Sequence, residues 1–503
     1  MRSDPARPPR VDERLLAALR SDLEAAAYTV DDVNDLLGPL AAAALAREQT
    51  IPAQRVTATD DSPLATLVRL LALGDPVDAA DAAAALPTLG VDGARSLGLV
   101  RDEGDAVVAE CDLRPHGDDT HGWWVASDLG ELATRRPLRP DHVLGVGAAS
   151  ATLADWTVRR PVATAVDLGT GCGVQALHLS GHAREVTVTD TSRRALAYAR
   201  FNAALNGQTW RVLEGDLLTP VEGERFDLVV SNPPFVITPR GADVPVFEYR
   251  DGGRAGDDVV AELVRGVGSL LRPGGVAQLL GNWEVPAGAD WRDRVGEWVR
   301  GTGLDAWVVQ REVQDPAQYA EVWARDGGHH NGTSEFATMY AAWLDDFASR
   351  DVEAVGFGVI TLQRPTSGRS PFVDLMEAPG PVAHPMGPGV EAGLAARTLL
   401  AESSDSDLLS RRWRVADDVT EARWSRPGAT DPAVIELVQG GGLRRTVRLS
   451  TAAAAYVSVA DGELTADQAL VAIAALLDAD ADSVRAEVLP VLRDAAKDGL
   501  LVL

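Results

Sequence analysis

Val162-Ala163-Thr164-Ala165-Val166-Asp167-Leu168-Gly169-Thr170-Gly171-Cys172-Gly173 opens as a mainly apolar run and closes on three alternating glycines. The run reads as a buried strand and the glycines as a turn into a helix over Val174–Ser180. Glycine has no Cβ, so such a turn lets the backbone pass directly beneath a bound nucleoside, while the helix start offers free N–H groups. The pattern then repeats downstream. Val186–Thr189 is a second strand ending at Asp190, a helix spans 192–205, and Trp210–Leu213 leads to Gly215-Asp216. Phe226–Val230 is a fourth strand. A helix near 257–271 is expected to end at Pro273-Gly274-Gly275, with Val276–Leu280 as the next strand. Two late strands, near 305–311 and 353–363, flank a helix over 335–347. Strands separated by helices imply a parallel sheet with crossover connections. The expectation is an α/β, Rossmann-like core with a seven-stranded sheet over 139–365.

The glycine turn alone leaves three readings. Gly171-x-Gly173-x-x-Ala176 fits the relaxed dinucleotide fingerprint. A turn of this kind also holds the methionine part of S-adenosylmethionine, and a plain tight turn needs no ligand. Asp190 can accept hydrogen bonds from ribose hydroxyls under either cofactor reading, and Asp216 from an adenine amino group. Each of these acids could equally cap the helix that follows it.

Ser231-Asn232-Pro233-Pro234-Phe235 follows the fourth strand directly. Pro233 and Pro234 have fixed φ and no N–H, so the loop is stiff and its carbonyls are not consumed by a ladder. That suits a target NH₂ conjugated to a carbonyl or ring, whose delocalised lone pair is a poor nucleophile. If the Asn232 amide oxygen and the Pro233 carbonyl accept its two N–H bonds, the nitrogen can pyramidalise. The charge developing on it then meets acceptors already in place. Phe235 can stack on the planar group and orient it. The competing reading is a proline-stiffened loop with no chemistry.

On these residues the chain resembles class I S-adenosylmethionine-dependent methyltransferases of the Asn-Pro-Pro-Tyr/Phe type. Within them it is similar to the release-factor glutamine N5-methyltransferases and to relatives acting on exocyclic amines of RNA or DNA bases. The resemblance covers residues 140–365. It implies S-adenosylmethionine as cofactor, contacted at Asp167, Gly169, Gly171, Asp190 and Asp216, with Thr170, Gly173 and Asn232 assigned to the same site. It also implies target-nitrogen contacts at Asn232, Pro233 and Phe235, with Pro234 completing the catalytic loop. Phenylalanine stands at 235 where such enzymes often carry tyrosine, so stacking survives and a phenolic hydrogen bond does not. The large segments on both sides of the core are a second departure.

Those flanks read as separate modules. Residues 1–138 begin with Leu15, Leu16, Leu19 and Leu23 at helical spacing, with further helices around 30–47 and 63–73. Leu97-Gly98-Leu99-Val100, then Ala106–Ala109, suggest a short hairpin, which makes a helical, winged-helix-like domain; Trp123-Trp124-Val125 reads as a strand. Residues 366–503 start with a Pro/Gly/Ser-rich linker. Strand-like pieces at 433–438 and 443–449, helices near 464–477 and 481–497, and the ending Gly499–Leu503 suggest a small α+β accessory domain.

Composition limits partners. The 503 residues carry a formal charge of −27, against the basic footprint that nucleic-acid binding usually needs. Lys497 is the only lysine, which argues against Schiff-base chemistry and a P-loop. Cys111 and Cys172 lie in different segments and make no disulfide framework or zinc set. No apolar run is long enough to span a bilayer, and MRSDPARPPR reads as a disordered tail, not a signal, so a cytoplasmic protein is expected. Trp283, Trp291, Trp307 and Trp323 read as core or interface residues. His329-His330 lacks companions at metal-ligand spacing and reads as polar loop, so no metal is expected. Asp141–Gly147 could fold over the cofactor, and Phe247–Gly253 could form a mobile lid at the target entrance. Three functions stay open: a protein methyltransferase acting on glutamine, such as one in a translation factor; a nucleobase methyltransferase; and an inactive fold kept as a binding module. The second predicts a continuous basic strip near Asn232 built from Arg240, Arg250 and Arg254. The sequence does not name an oligomeric state.

Overall fold

The computed structural model describes residues 7–134, 138–240, 247–327 and 331–503. His329 and His330, and the first six residues of the tail, lie outside them. The chain divides into two compact units. The first holds Met1–Ala151, Pro161–Trp298 and Val313–Phe357; the second holds Thr152–Arg160, Val299–Glu312 and Gly358–Leu503.

In the first unit five parallel strands run in contiguous order. They are β1 (Val162–Leu168), β2 (Ala183–Asp190), β3 (Trp210–Glu214), β4 (Phe226–Ser231) and β5 (Leu271–Pro286), arranged β5-β4-β1-β2-β3. Their register sets up the site. Leu279 of β5 lies opposite Ser231, Ser231 opposite Leu168, Leu168 opposite Thr189, and Thr189 opposite Leu213. One row therefore crosses all five strands, and Gly169, Asp190 and Asn232 each stand one residue beyond it. The order of connection reverses between β1 and β4, the place where open α/β sheets leave a ligand crevice. Ala165 and Val166 of β1 and Val229 and Val230 of β4 are wholly buried, as strands covered on both faces require.

Pro273-Gly274-Gly275 does not end a helix. The helix Asp258–Gly266 passes through a 3₁₀ turn, Val267–Leu270, and β5 is already under way at Leu271. Its pairing with β4 shifts register between Leu271 and Val276. A Cβ on Gly275 would lie 3.0 Å from the Phe226 carbonyl oxygen, so the prolyl-glycyl sequence builds a bulge pressed against β4.

The N-terminal part of this unit is helical, from Glu13–Ala25 to Gly90–Leu97. It ends in a small antiparallel sheet in which Ala106–Ala109 lies between Val77–Asp78 and Val100–Glu103. A hairpin follows, Asp112–Gly117 with Gly122–Ser127. Asn202, wholly buried on the helix Arg193–Leu205, accepts from the Ala126 N–H (2.8 Å) and donates to the carbonyls of Ala126 and Cys172 (2.8 Å each). One amide thus ties the hairpin edge to the glycine turn and leaves no backbone group of the contact unmet.

In the second unit Asp305–Gln314 pairs in parallel with Val373–Glu377. Three antiparallel strands, Val419–Trp424, Val434–Gln439 and Thr446–Leu449, form a sheet with the middle one central. Leu501-Val502 pairs instead with Arg414-Val415. The helices Thr451–Ser458, Ala466–Leu476 and Ala481–Lys497 enclose a core containing Trp413, Tyr456, Leu470, Val488 and Leu492. Part of the stretch expected as linker is the helix Gly387–Glu402. Its glycines are close-contact residues: a Cβ on Gly393 would sit 2.6 Å from the Trp307 ring.

Candidate active site

The turn after β1 is held from below. Thr170 N–H donates to the Thr189 carbonyl (2.8 Å), and the Thr170 hydroxyl donates to Asp167 Oδ2 (2.6 Å). Gly171 N–H donates to Asp190 Oδ2 (2.9 Å), while Ser192 N–H donates to Asp190 Oδ1 (2.8 Å). Gly169 and Gly171 have φ of 71° and 56°, and a Cβ on either would meet nothing within 4 Å. Their backbone thus needs glycine, and their open sides face free space. Gly173 differs. Its φ is 93°, and a Cβ would lie 2.7 Å from the Trp210 ring, so it is there to pack the helix against β3.

Burial pushes the Asp167 carboxyl up to about 7, with the charge of Asp190 adding and the Thr170 hydrogen bond opposing. Burial also raises Asp190, against the N–H groups of Ser192 and Gly171. Each Asp190 oxygen has spent one acceptor position on the turn and keeps lone-pair capacity for a ligand hydroxyl. Oδ1 of Asp167 is buried without a hydrogen-bond partner.

The cavity over this turn holds about 970 Å³ of empty space, its open mouth included. Of the residues expected from sequence, Gly169, Thr170, Gly171, Asp190, Asp216, Asn232 and Pro234 line it; Asp167, Gly173, Pro233 and Phe235 do not. Asp167 lies behind the turn, and Phe235 makes a backbone bridge to Asp251. Asn232 stands at the switch point because the Ser231 hydroxyl donates to the Leu168 carbonyl (2.8 Å), pinning β4 to β1. Its Oδ1 is buried and has no hydrogen-bond partner.

The segment 141–147 does reach the cavity, with His142, Val143, Leu144 and Gly145 on its wall. Asp128 holds it, accepting from Val143 N–H (2.9 Å), Arg194 Nε (2.9 Å) and the Tyr198 hydroxyl (2.7 Å). Burial lowers the His142 imidazole, which meets the Tyr249 ring edge-on at 5.9 Å. Glu248 and Tyr249, from the segment expected at the target entrance, also line the cavity, as does Gln175, which sequence reasoning did not single out. Gln175 Nε2 donates to the Ser150 carbonyl (2.7 Å), an arrangement no local spacing announces.

The lid expectation for 247–253 needs correction. Arg250 is 3 % exposed, donates to Asp326 Oδ2 (2.7 Å) and the Trp323 carbonyl (2.9 Å), and lies 4.7 Å over the Phe247 ring. Its own carbonyl accepts from Val236 N–H (2.8 Å), and Asp251 is equally buried. A guanidinium so enclosed anchors the segment in place behind Glu248 and Tyr249, which do line the cavity. The other arginines of the expected basic strip are also neutralised. Arg240 pairs with Asp251 (2.7 Å), and Arg254 with both Asp216 and Glu262 (3.1 Å each).

Residues 145–297 match the methyltransferase small domain. Residues 25–110 match a domain of unknown function, DUF7059. The release factor glutamine methyltransferase of Moorella thermoacetica is 38% identical over 146 residues, 27% of this chain and 52% of that protein. That of Deinococcus radiodurans is 42% identical over 122 residues, 23% and 44% of the two chains. The ribosomal RNA small subunit methyltransferase C of Alcanivorax borkumensis is 33% identical over 128 residues, 25% and 34%. The chain thus spans about half or less of the length of these relatives, and the matched domain, 145–297, contains β1 to β5 and the glycine turn. Among the described residues, no helix is long and apolar enough to cross a membrane, and no group of three His, Cys, Asp or Glu is arranged to hold a metal ion.

Proposed function

We propose that this protein is an S-adenosylmethionine-dependent N-methyltransferase acting on a planar amide or exocyclic amine nitrogen, with a protein glutamine as target. The observation that carries the reading is the Asn232 carboxamide oxygen, buried at the cavity with no hydrogen-bond partner. A buried acceptor left unmet costs about 1–3 kcal/mol, and a donor from a ligand in the cavity would offset that cost at Asn232.

The cofactor fits the residues present. The open sides of Gly169 and Gly171 make a cradle that a Cβ would fill, and Asp190 has acceptor capacity beside it. When bound, S-adenosylmethionine supplies an electrophilic methyl group. The chain's own part is to bind and orient. Asp190 would hold ribose hydroxyls and Asp216 the adenine edge, with Asp167 fixing the turn through Thr170. Asn232 Oδ1 and the Pro233 carbonyl would accept the two N–H bonds of the target, so that the nitrogen lone pair is freed from conjugation and can attack the methyl group. Phe235 would stack on the planar group, Pro234 would keep the loop stiff, and the spare proton leaves to water.

The paired state of Arg240, Arg250 and Arg254 favours an uncharged carboxamide over a nucleic acid, because phosphates bind by displacing counterions with free cations. Similarity to a ribosomal RNA methyltransferase supports the second reading, an RNA or DNA base. We assign 139–365 to catalysis and 1–138 and 366–503 to target recognition, in the cytoplasm. The test is incubation with methyl-labelled S-adenosylmethionine and extract of the source cells, split between protease and ribonuclease. Label released only by protease supports a protein target. Label released only by ribonuclease replaces it with RNA, and no label anywhere, with no cofactor bound in calorimetry, overturns the methyltransferase reading.

A further inference from the structure

The helix Pro316–Asp326 presents Tyr319, Trp323 and Asp326 at i, i+4 and i+7, one face of a helix. All three meet the reaction loop or the segment zipped to it. Tyr319 Oη accepts from the Ile237 N–H (2.8 Å) and from Asn282 Nδ2 (3.0 Å). The Trp323 carbonyl accepts from Arg250, and Asp326 accepts from Arg250 and from the Tyr249 hydroxyl (2.7 Å), Tyr249 being a wall of the cavity. From the helix Ser334–Ser349, Trp343 Nε1 donates to the Ile237 carbonyl (2.7 Å). Both backbone groups of Ile237, itself 1 % exposed, are therefore met by side chains, where a ladder partner would ordinarily serve.

The clamp sits in a small core of its own, with Val236, Ile237, Tyr319, Met339, Trp343 and Phe347 packed together. Between Asn232 and Ile237 lie Pro233 and Pro234, whose φ is fixed, and then Phe235 and Val236, which are paired by their backbones to Asp251 and Arg250. A displacement at Ile237 is passed towards Asn232 along this restrained link.

We propose that Tyr319 is a positioning residue for methyl transfer, holding the Asn-Pro-Pro-Phe loop in register with the cofactor cavity through Ile237. This rests on the methyltransferase reading. Misplacing a reacting group by about 1 Å costs on the order of 10²-fold in rate, so Tyr319→Phe should lower kcat by roughly 10- to 100-fold. It should leave KM for the target and the Kd for S-adenosylmethionine within about threefold, because Tyr319 does not line the cavity.

The experiment compares wild type, Tyr319→Phe and the double variant Tyr319→Phe/Asn282→Leu by labelled-methyl transfer, thermal unfolding, calorimetry and hydrogen exchange of the peptide spanning 232–238. Replacing Tyr319 and Asn282 by apolar groups removes the unmet Asn282 amide while the Ile237 N–H stays unmet, so the double variant should regain part of the lost Tm and not kcat, with exchange at Ile237 still fast. Transfer by Tyr319→Phe at the wild-type rate overturns the proposal. So does a double variant that recovers rate together with Tm, since the role would then be stability alone. A wild-type protein that binds no cofactor and transfers no methyl fails at the earlier step, and removes the parent reading and this one together.

Discussion

Asn232→Ala separates chemistry from folding. The side chain removed has a carbonyl oxygen that bonds to nothing in the protein, so its loss breaks no acceptor contact there. Two effects on stability oppose each other. Deleting a half-buried amide forfeits packing, while deleting an unmet buried acceptor returns about 1–3 kcal/mol of desolvation. The net change should stay within about 1 kcal/mol, a shift of only a few degrees in Tm for a unit of this size. Transfer loses a preorganised acceptor aimed at developing charge, for which about 10²–10³ in kcat, or roughly 3–4 kcal/mol, is the usual scale. Cofactor affinity should change by no more than about threefold, because the turn at Gly169–Gly171 and Asp190 is untouched by Asn232. Single-turnover transfer from labelled S-adenosylmethionine, calorimetry and thermal unfolding give the three readouts. Transfer within threefold of wild type would refute the acceptor role. A Tm lowered by ten degrees would show that the unmet oxygen has a structural partner in solution.

Asp190→Ala removes the acceptor of the Gly171 and Ser192 N–H groups and should weaken cofactor binding at least about tenfold by calorimetry; unchanged affinity would place the ribose elsewhere. Gly173→Ala sets a Cβ 2.7 Å from the Trp210 ring at a φ of 93° and should destabilise the fold by about 2–3 kcal/mol in denaturant unfolding. A neutral result would mean that the indole moves freely. Asp167 carries its proton more tightly when folded than unfolded, since burial raises it from 3.8 to about 7. Its contribution to stability is therefore full below about pH 4 and is lost as pH rises towards 7, a swing of about 4 kcal/mol at most. Asp167→Asn should remove that part of the stability-against-pH curve, and an unchanged curve would show that Asp167 is ionised in the folded protein. Tyr319→Phe, as set out above, should reduce kcat while sparing cofactor affinity.

The strands β1, β2, β3 and β4 could be read directly, because each holds a short apolar-rich stretch closed by glycine, an acid or the Asn232-Pro233-Pro234 loop. Pro273-Gly274-Gly275 misled for a physical reason: the same dipeptides that stop helices also build bulges, and only the approach of Phe226 decides between them. The helix Gly387–Glu402 was hidden by its opening Gly387-Pro388-Gly389, in which Gly387 serves close approach to the Thr157 carbonyl and not a turn. His142 and Tyr249 reach the cavity from segments the sequence placed over the cofactor and at the target entrance, whereas no spacing in the chain announces Gln175 beside them.

What the sequence determined by itself is local: a glycine turn that needs positive φ, a stiff Asn-Pro-Pro-Phe loop, and strands alternating with helices as a parallel sheet requires. Backbone chemistry at neighbouring residues is enough to specify these. The tertiary structure alone decided which atoms are spent and which are left over. Arg240, Arg250 and Arg254 look like a basic strip in sequence and are cancelled by Asp251, Asp326, Asp216 and Glu262 once folded. The Asn232 oxygen, one polar atom among many in the sequence, becomes an unmet acceptor only when β4 is pinned beside β1. Charge pairing and hydrogen-bond satisfaction are sums over residues far apart in the chain, so they are settled by packing and not by pattern.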